Sequence, residues 1–133
     1  PLASHKTLNY LYYFLAGKWA RAKGADEAVI LNPDGTVSET NTANLLLLQG
    51  DTVILPESPH VLAGVMEAAV LERLLSAGFS QKRMRIIPED LFGVDMVIAA
   101  NSLMGPVGVR SVDGIEISCD PEWITRIRSD VLA

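Results

Sequence analysis

Apolar residues recur at helical spacing near the start of the chain. Leu8, Leu11, Tyr12, Leu15 and Trp19 fall three to four apart, with Lys18 and Arg21 on other faces. The pattern predicts a helix over residues 8–22, with Thr7 as N-cap and Gly24 as its stop. Residues 27–32 then read as a strand, and "PDGT" (33–36) as a turn, because Pro presets one dihedral and Gly permits a positive one. "ANLLLLQ" and "TVILP" flank Gly50-Asp51 and read as a hairpin. Leu45 to Leu48 do not alternate with polar residues, so that strand is expected to be buried on both faces.

A second helix is predicted over residues 64–78, a strand over 83–87, a single turn at "PEDL", and a strand over 95–101. "GVRSV" and "IEIS" suggest a last hairpin across Asp113-Gly114. Pro121, suited to a first helical position, opens a closing helix over 121–132. Strands and helices mix without internal repeat, so the fold class is α/β or α+β in one domain.

Composition narrows the setting. The 133 residues carry a formal net charge of -5, which argues against nucleic acid or an anionic membrane as principal partner. No apolar run is long enough to span a membrane, and no signal peptide is expected ahead of the first helix. Cys119 is the single cysteine, so no intrachain disulfide forms, and a reducing cytoplasm is the expected location. In its acidic "SCDPE" setting it lacks an activating cation. His5 and His60 have no ligand-spaced partners, so no metal site is expected. The Tyr10, Tyr12, Tyr13 and Trp19 cluster reads as helix packing.

Four segments bear on chemistry: "HKTLNYL", "VSETNTANLLL", "LAGVMEAA" and "AANSLMGPVGV". Each alone is commonplace. In this order they supply an amine (Lys6), a carboxylate (Glu39), a helix start after Gly64 and a hydroxyl (Ser102), the parts a pyridoxal phosphate site needs. The free N–H groups and partial positive charge of a helix start suit a phosphate.

These segments resemble the C-terminal domain of the fold-type IV pyridoxal-phosphate enzymes, which include aminodeoxychorismate lyase and the D-amino-acid and branched-chain aminotransferases. The resemblance runs from Lys6 to about Ile127. It implies the D-amino-acid aminotransferase-like fold, a mixed, barrel-like sheet flanked by helices. It also implies pyridoxal 5'-phosphate as cofactor. Lys6 would be the Schiff-base lysine that also moves the Cα proton, and Glu39 the partner of the pyridine nitrogen. The amides after Gly64, at Val65 and Met66, would hold the phosphate together with Ser102. Asn44 is expected to hold local backbone.

The chain departs from the family at Glu67, where an Arg is usual. A carboxylate there repels phosphate unless it points away. "NSLMGPVGV" is nearer the lyase members, so the expected activity is that of a 4-amino-4-deoxychorismate lyase, which forms 4-aminobenzoate and pyruvate for folate synthesis. The alternatives are a class IV aminotransferase and a catalytically incompetent fragment. The family also implies a homodimer and an N-terminal domain that this chain does not show. By that reading residues 1–133 are one cofactor-bearing domain, weakly active alone, with apolar surface exposed where the other domain packs.

Overall fold

The computed structural model describes residues 10–59 and 64–132. Helix α1 (Tyr10–Ala22) leads into strands β1 (Val29–Leu31) and β2 (Val37–Thr40), which pair antiparallel across the predicted turn. Strands β3 (Asn44–Gln49) and β4 (Thr52–Pro56) form the expected hairpin. Helix α2 (Val65–Ser76) follows, then β5 (Ser80–Met84), a 3-10 turn (Pro88–Phe92), β6 (Met96–Asn101) and β7 (Gly105–Gly108). The short β8 (Ser111–Val112) and β9 (Ile115–Glu116) precede α3 (Pro121–Leu132).

The main sheet has the order β5-β4-β3-β6-β7. Its neighbours are antiparallel except β4 and β5, which run parallel. A parallel pair needs a crossover, and α2 supplies it. The leucines of β3 alternate between two cores. Leu46 and Leu48 join Val70 and Leu74 of α2 and Ile124 and Ile127 of α3. Leu45 and Leu47 join Val37, Ile86, Leu91 and Val97 on the other face. Burial on both faces explains the unbroken apolar run.

Five features differ from the pattern. Residues 37–40 gave no strand signal, yet all four form β2 and are buried. Ser38, Glu39 and Thr40 are polar and still inside, so alternation could not mark them. The strand predicted at 83–87 lies instead at Ser80–Met84. It is a sheet edge with outward-facing Ser, Gln, Lys and Arg, while Ile86 belongs to the core beyond it. Strand β7 was missed because "GPVG" reads as loop. The last hairpin is only two residues a side, although Asp113 and Gly114 both take positive φ, as its tight turn demands.

The fifth difference concerns α1. Its apolar stripe faces outward: Leu15 is 52% and Trp19 is 62% exposed, and Leu11 and Phe14 are exposed with them. The buried stripe is made of Gly17 and Ala20, with Tyr13 and Ala16 half-buried. A Cβ on Gly17 would lie 2.5 Å from Asn41 Nδ2, so this glycine lets α1 lie close on the chain after β2. Tyr12 and Trp19 therefore do not pack inside, contrary to the expectation for the aromatic cluster. Tyr13 turns inward.

Candidate active site

Two of the candidates, Gly64 and Ser102, lie by the start of β3 and the end of β6, and Glu39 lies on β2 of the separate β1–β2 pair. Strand β2 ends at Thr40, and its backbone N–H donates to the carbonyl of Ala43, closing a turn into β3. The Thr40 hydroxyl accepts from the Ala43 N–H at 2.8 Å and holds the same turn. Strand β3 then starts at Asn44, paired with Ala100 near the end of β6. One residue on, Asn101 donates through Nδ2 to the Thr42 carbonyl at 3.1 Å. Its Oδ1 accepts from the N–H groups of Leu103 and Met104 at 3.0 and 2.8 Å. This shapes the turn that carries Ser102, whose side chain is exposed.

The start of α2 reaches the same end. Gly64 is its N-cap, in extended conformation, and no side chain caps the helix there. A Cβ on Gly64 would collide with Asn44 Oδ1. Only a residue without one allows the helix to begin against β3. The Asn44 side chain thus lies against Gly64. The first-turn amides have no i−4 carbonyl and favour negative charge. Val65 there is 79% exposed and Met66 half-buried, so neither side chain screens that end completely.

Glu39 is the exception among the carboxylates: it is only 4% exposed. It stands on β2, opposite Ile30 of β1. The Tyr13 hydroxyl donates to its Oε2 at 2.6 Å, a length typical of a charge-assisted bond. Burial, then the bond to Glu39 and its charge, push the Tyr13 phenol well above its ordinary range. Tyr13 therefore stays protonated and goes on donating. Reading the aromatic cluster as packing missed this, because the sequence does not say which way Tyr13 faces.

Glu67, in the first turn of α2, is half-buried, and burial raises its carboxyl above the usual range while the charge of Arg83 pulls the other way. A partly desolvated carboxylate beside an anion-favouring helix end opposes the role of that end.

Lys6 and His60 lie outside the described residues. Gly64, which opens the turn that carries Val65 and Met66, meets Asn44 at the start of β3, and Ser102 follows the end of β6 that pairs there, while Glu39 stands on β2 in the separate β1–β2 pair. Two surface depressions, of about 370 and 240 Å3, include none of them. The first lies along α3 by Arg128, the second by Met84 and Asp90. Among the described residues, no group of three His, Cys, Asp or Glu is placed to hold a metal, and no helix is long and apolar enough to cross a membrane. Cys119 packs against Gly108 of β7.

The residues present fit pyridoxal phosphate in two respects. A buried carboxylate suits a basic ring nitrogen, and a helix start with no side-chain cap suits a phosphate. Glu67 fits it poorly.

Comparison with known proteins agrees on the scaffold. The chain matches the model of the family "Amino-transferase class IV" over residues 1–112. It is 34% identical over 120 residues to aminodeoxychorismate lyase of Vibrio harveyi, covering 90% of this chain and 44% of that protein. It is 28% identical over 125 residues to the branched-chain-amino-acid aminotransferase of Escherichia coli strain K12, covering 91% of this chain and 40% of that one. Among solved structures it resembles a T.th. branched-chain amino acid aminotransferase complexed with N-(5'-phosphopyridoxyl)-L-glutamate. The TM-score there is 0.86 at 26% identity, over 93% of this chain and 42% of that chain. The expected mixed α/β fold accords with this likeness. The chain spans less than half the length of these relatives.

Proposed function

We infer, for a chain that belongs to the class IV amino-transferase family, that it carries the pyridoxal 5'-phosphate half of a 4-amino-4-deoxychorismate lyase. The observation that carries the site is the buried Glu39 carboxylate, which accepts from the Tyr13 hydroxyl; the start of α2, which no side chain caps, is the second support. The lyase reading is supported by the 34% identity to the Vibrio harveyi lyase and by "NSLMGPVGV".

When bound, the cofactor supplies an electron sink for the pair left at the substrate Cα. Lys6 Nζ takes the proton from that carbon. Glu39 holds a proton at the ring nitrogen, and the amides of Val65 and Met66 with the Ser102 hydroxyl bind the phosphate. The substrate divides into 4-aminobenzoate and pyruvate with no co-reactant, and the new aromatic ring drives the step. A cytoplasmic homodimer is part of the same proposal.

Amino transfer is the second reading, favoured by the 28% identity to the Escherichia coli aminotransferase and by the likeness to the phosphopyridoxyl-glutamate complex. One experiment tests the site and then separates the two. The chain is incubated with pyridoxal 5'-phosphate, reduced with borohydride and mapped by mass spectrometry. A pyridoxyl adduct confined to Lys6, and absent from Lys6→Ala, is expected; label scattered over Lys18, Lys23 and Lys82 would sink the proposal. Pyruvate release from 4-amino-4-deoxychorismate alone then marks a lyase, whereas dependence on an added keto acid marks a transaminase.

A further inference from the structure

We propose that Tyr13 is a positioning residue for Glu39: its hydroxyl orients the carboxylate and keeps it ionised, so that the cofactor ring nitrogen and not Glu39 retains the proton between them. The second half of this statement rests on the reading of Glu39 given above. The first half stands on this chain's own geometry.

A carboxylate that is 4% exposed has lost most of its water and needs donors in exchange. The Tyr13 hydroxyl is one, at 2.6 Å from Oε2. Its own resistance to ionisation makes it a donor over the whole working range of pH. Donation to the charged form of an acid favours that form. Without it, a buried Glu39 would more readily take up a proton, and a protonated Glu39 cannot hold one at the ring.

The contact is also fixed mechanically. Gly17, one turn after Tyr13, leaves no room for a side chain against Asn41. Asn41 is in turn locked to Ala28: its Oδ1 accepts from the Ala28 N–H at 2.7 Å, and its N–H donates to the Ala28 carbonyl at 3.1 Å. Helix α1 is therefore seated on the β1–β2 unit at the height that brings Tyr13 over Glu39. Of the other described titratable groups, Tyr12 on α1 acts on Tyr13, and Glu27 accepts from the hydroxyls of Thr40, next to Glu39, and of Thr42. Neither replaces the Tyr13 donor on Glu39 Oε2.

The test has two arms. In the cofactor-free chain, the carboxyl carbon of Glu39 is followed by 13C NMR against pH, with Tyr13→Phe as the variant that keeps the ring and removes the hydroxyl. Glu39 is expected to protonate at higher pH in Tyr13→Phe. An identical titration would overturn the proposal. Should Tyr13→Phe fail to fold, fluorotyrosine at position 13 replaces it; this stronger donor should move the titration to lower pH, and no movement has the same adverse meaning.

The second arm uses pyridoxal phosphate labelled with 15N in the ring. Its resonance should move toward the unprotonated position in Glu39→Gln, and part of the way in Tyr13→Phe. A Glu39→Gln spectrum like that of the unaltered chain overturns the assignment of Glu39 to the ring nitrogen, whatever Tyr13 does. A shifted Glu39→Gln with an unshifted Tyr13→Phe overturns the Tyr13 proposal alone.

Discussion

Helices α1 and α3 have 13 and 12 residues, yet they use opposite stripes. Helix α3 turns Ile124 and Ile127 into the core and leaves Glu122, Arg126 and Asp130 outside, with Arg73 of α2 paired to Asp130 at 2.9 Å. Its Arg128 adds a second tie, donating to the carbonyls of Met104 and Pro106 at 2.5 and 2.9 Å. Helix α1 buries small residues and shows its large apolar ones. The difference separates two uses of a helix. One fills a core by volume; the other gives up volume for a close approach that delivers a single polar group, the Tyr13 hydroxyl, to Glu39.

If that contrast is right, the largest loss of stability should come from the volume-filling helix. Ile127→Ala removes buried methyl groups from the core shared by β3, β6, α2 and α3. A loss of about 2–5 kcal/mol is expected in denaturant unfolding. A loss below roughly 0.5 kcal/mol, the range of an ordinary surface change, would mean that α3 is not seated as described.

Next comes Gly17→Val, which strikes the close-approach helix. Its branches would meet Asn41 Nδ2, whose side chain is held by Ala28 and cannot swing away without breaking that bond. Overpacking of this kind costs about 1–3 kcal/mol, offset in part by roughly 0.5 kcal/mol of better helix propensity than glycine. The sharper readout is the Glu39 titration, which should shift in the direction that Tyr13→Phe shifts it. Destabilisation without that shift would detach the seat of α1 from the Tyr13 contact.

The same contrast shows how much was legible. Local signals found α1, α2 and α3 and the β3–β4 hairpin: apolar spacing for α1, Pro121 for the start of α3, and Gly50-Asp51 between two apolar runs for the hairpin. They did not say which stripe of α1 faces inward, since that depends on a partner, Asn41, far along the chain from Gly17. Strand β2 was invisible for a related reason: its polar residues are buried, with Glu39 satisfied from α1 and Thr40 from the turn to Ala43 and from Glu27. Glu39, the helix start at Gly64 and Ser102 were named from a resemblance in order and spacing; the fold sets Gly64 and Ser102 by the paired ends of β3 and β6 and buries Glu39 on β2. Tyr13 could be named only once the direction of α1 was known.

Helix α2 lies between the extremes. It buries Val70 and Leu74 as α3 does, but its first turn places half-buried Glu67 beside the proposed phosphate site. A carboxyl whose pKa is raised by folding costs nothing below its unfolded value, and stability is lost as the pH rises through the raised one. Glu67→Gln should therefore be more stable than the unaltered chain at neutral pH, by less than the two preceding effects, and equal to it in acid. Pyridoxal phosphate should bind the unaltered chain more tightly as pH falls through the Glu67 titration, and this added dependence should vanish in Glu67→Gln. Equal affinities of the two proteins at neutral pH would mean that Glu67 points away from the phosphate.

The smallest effect is expected on the outer stripe of α1. Leu15→Ser removes an apolar side chain that is already half in water, so stability should change by no more than about 0.5 kcal/mol. So small a change is informative because Leu15 is as apolar as Ile127 and sits in as regular a helix; only its direction differs. The check is denaturant unfolding at two protein concentrations, one far above the other. A loss above roughly 1.5 kcal/mol, beyond the surface range, that grows with concentration would show the outer stripe covered by a second copy of the chain in solution. The same loss without concentration dependence would show it covered from within the chain, and α1 would then belong with α3 as a volume-filling helix.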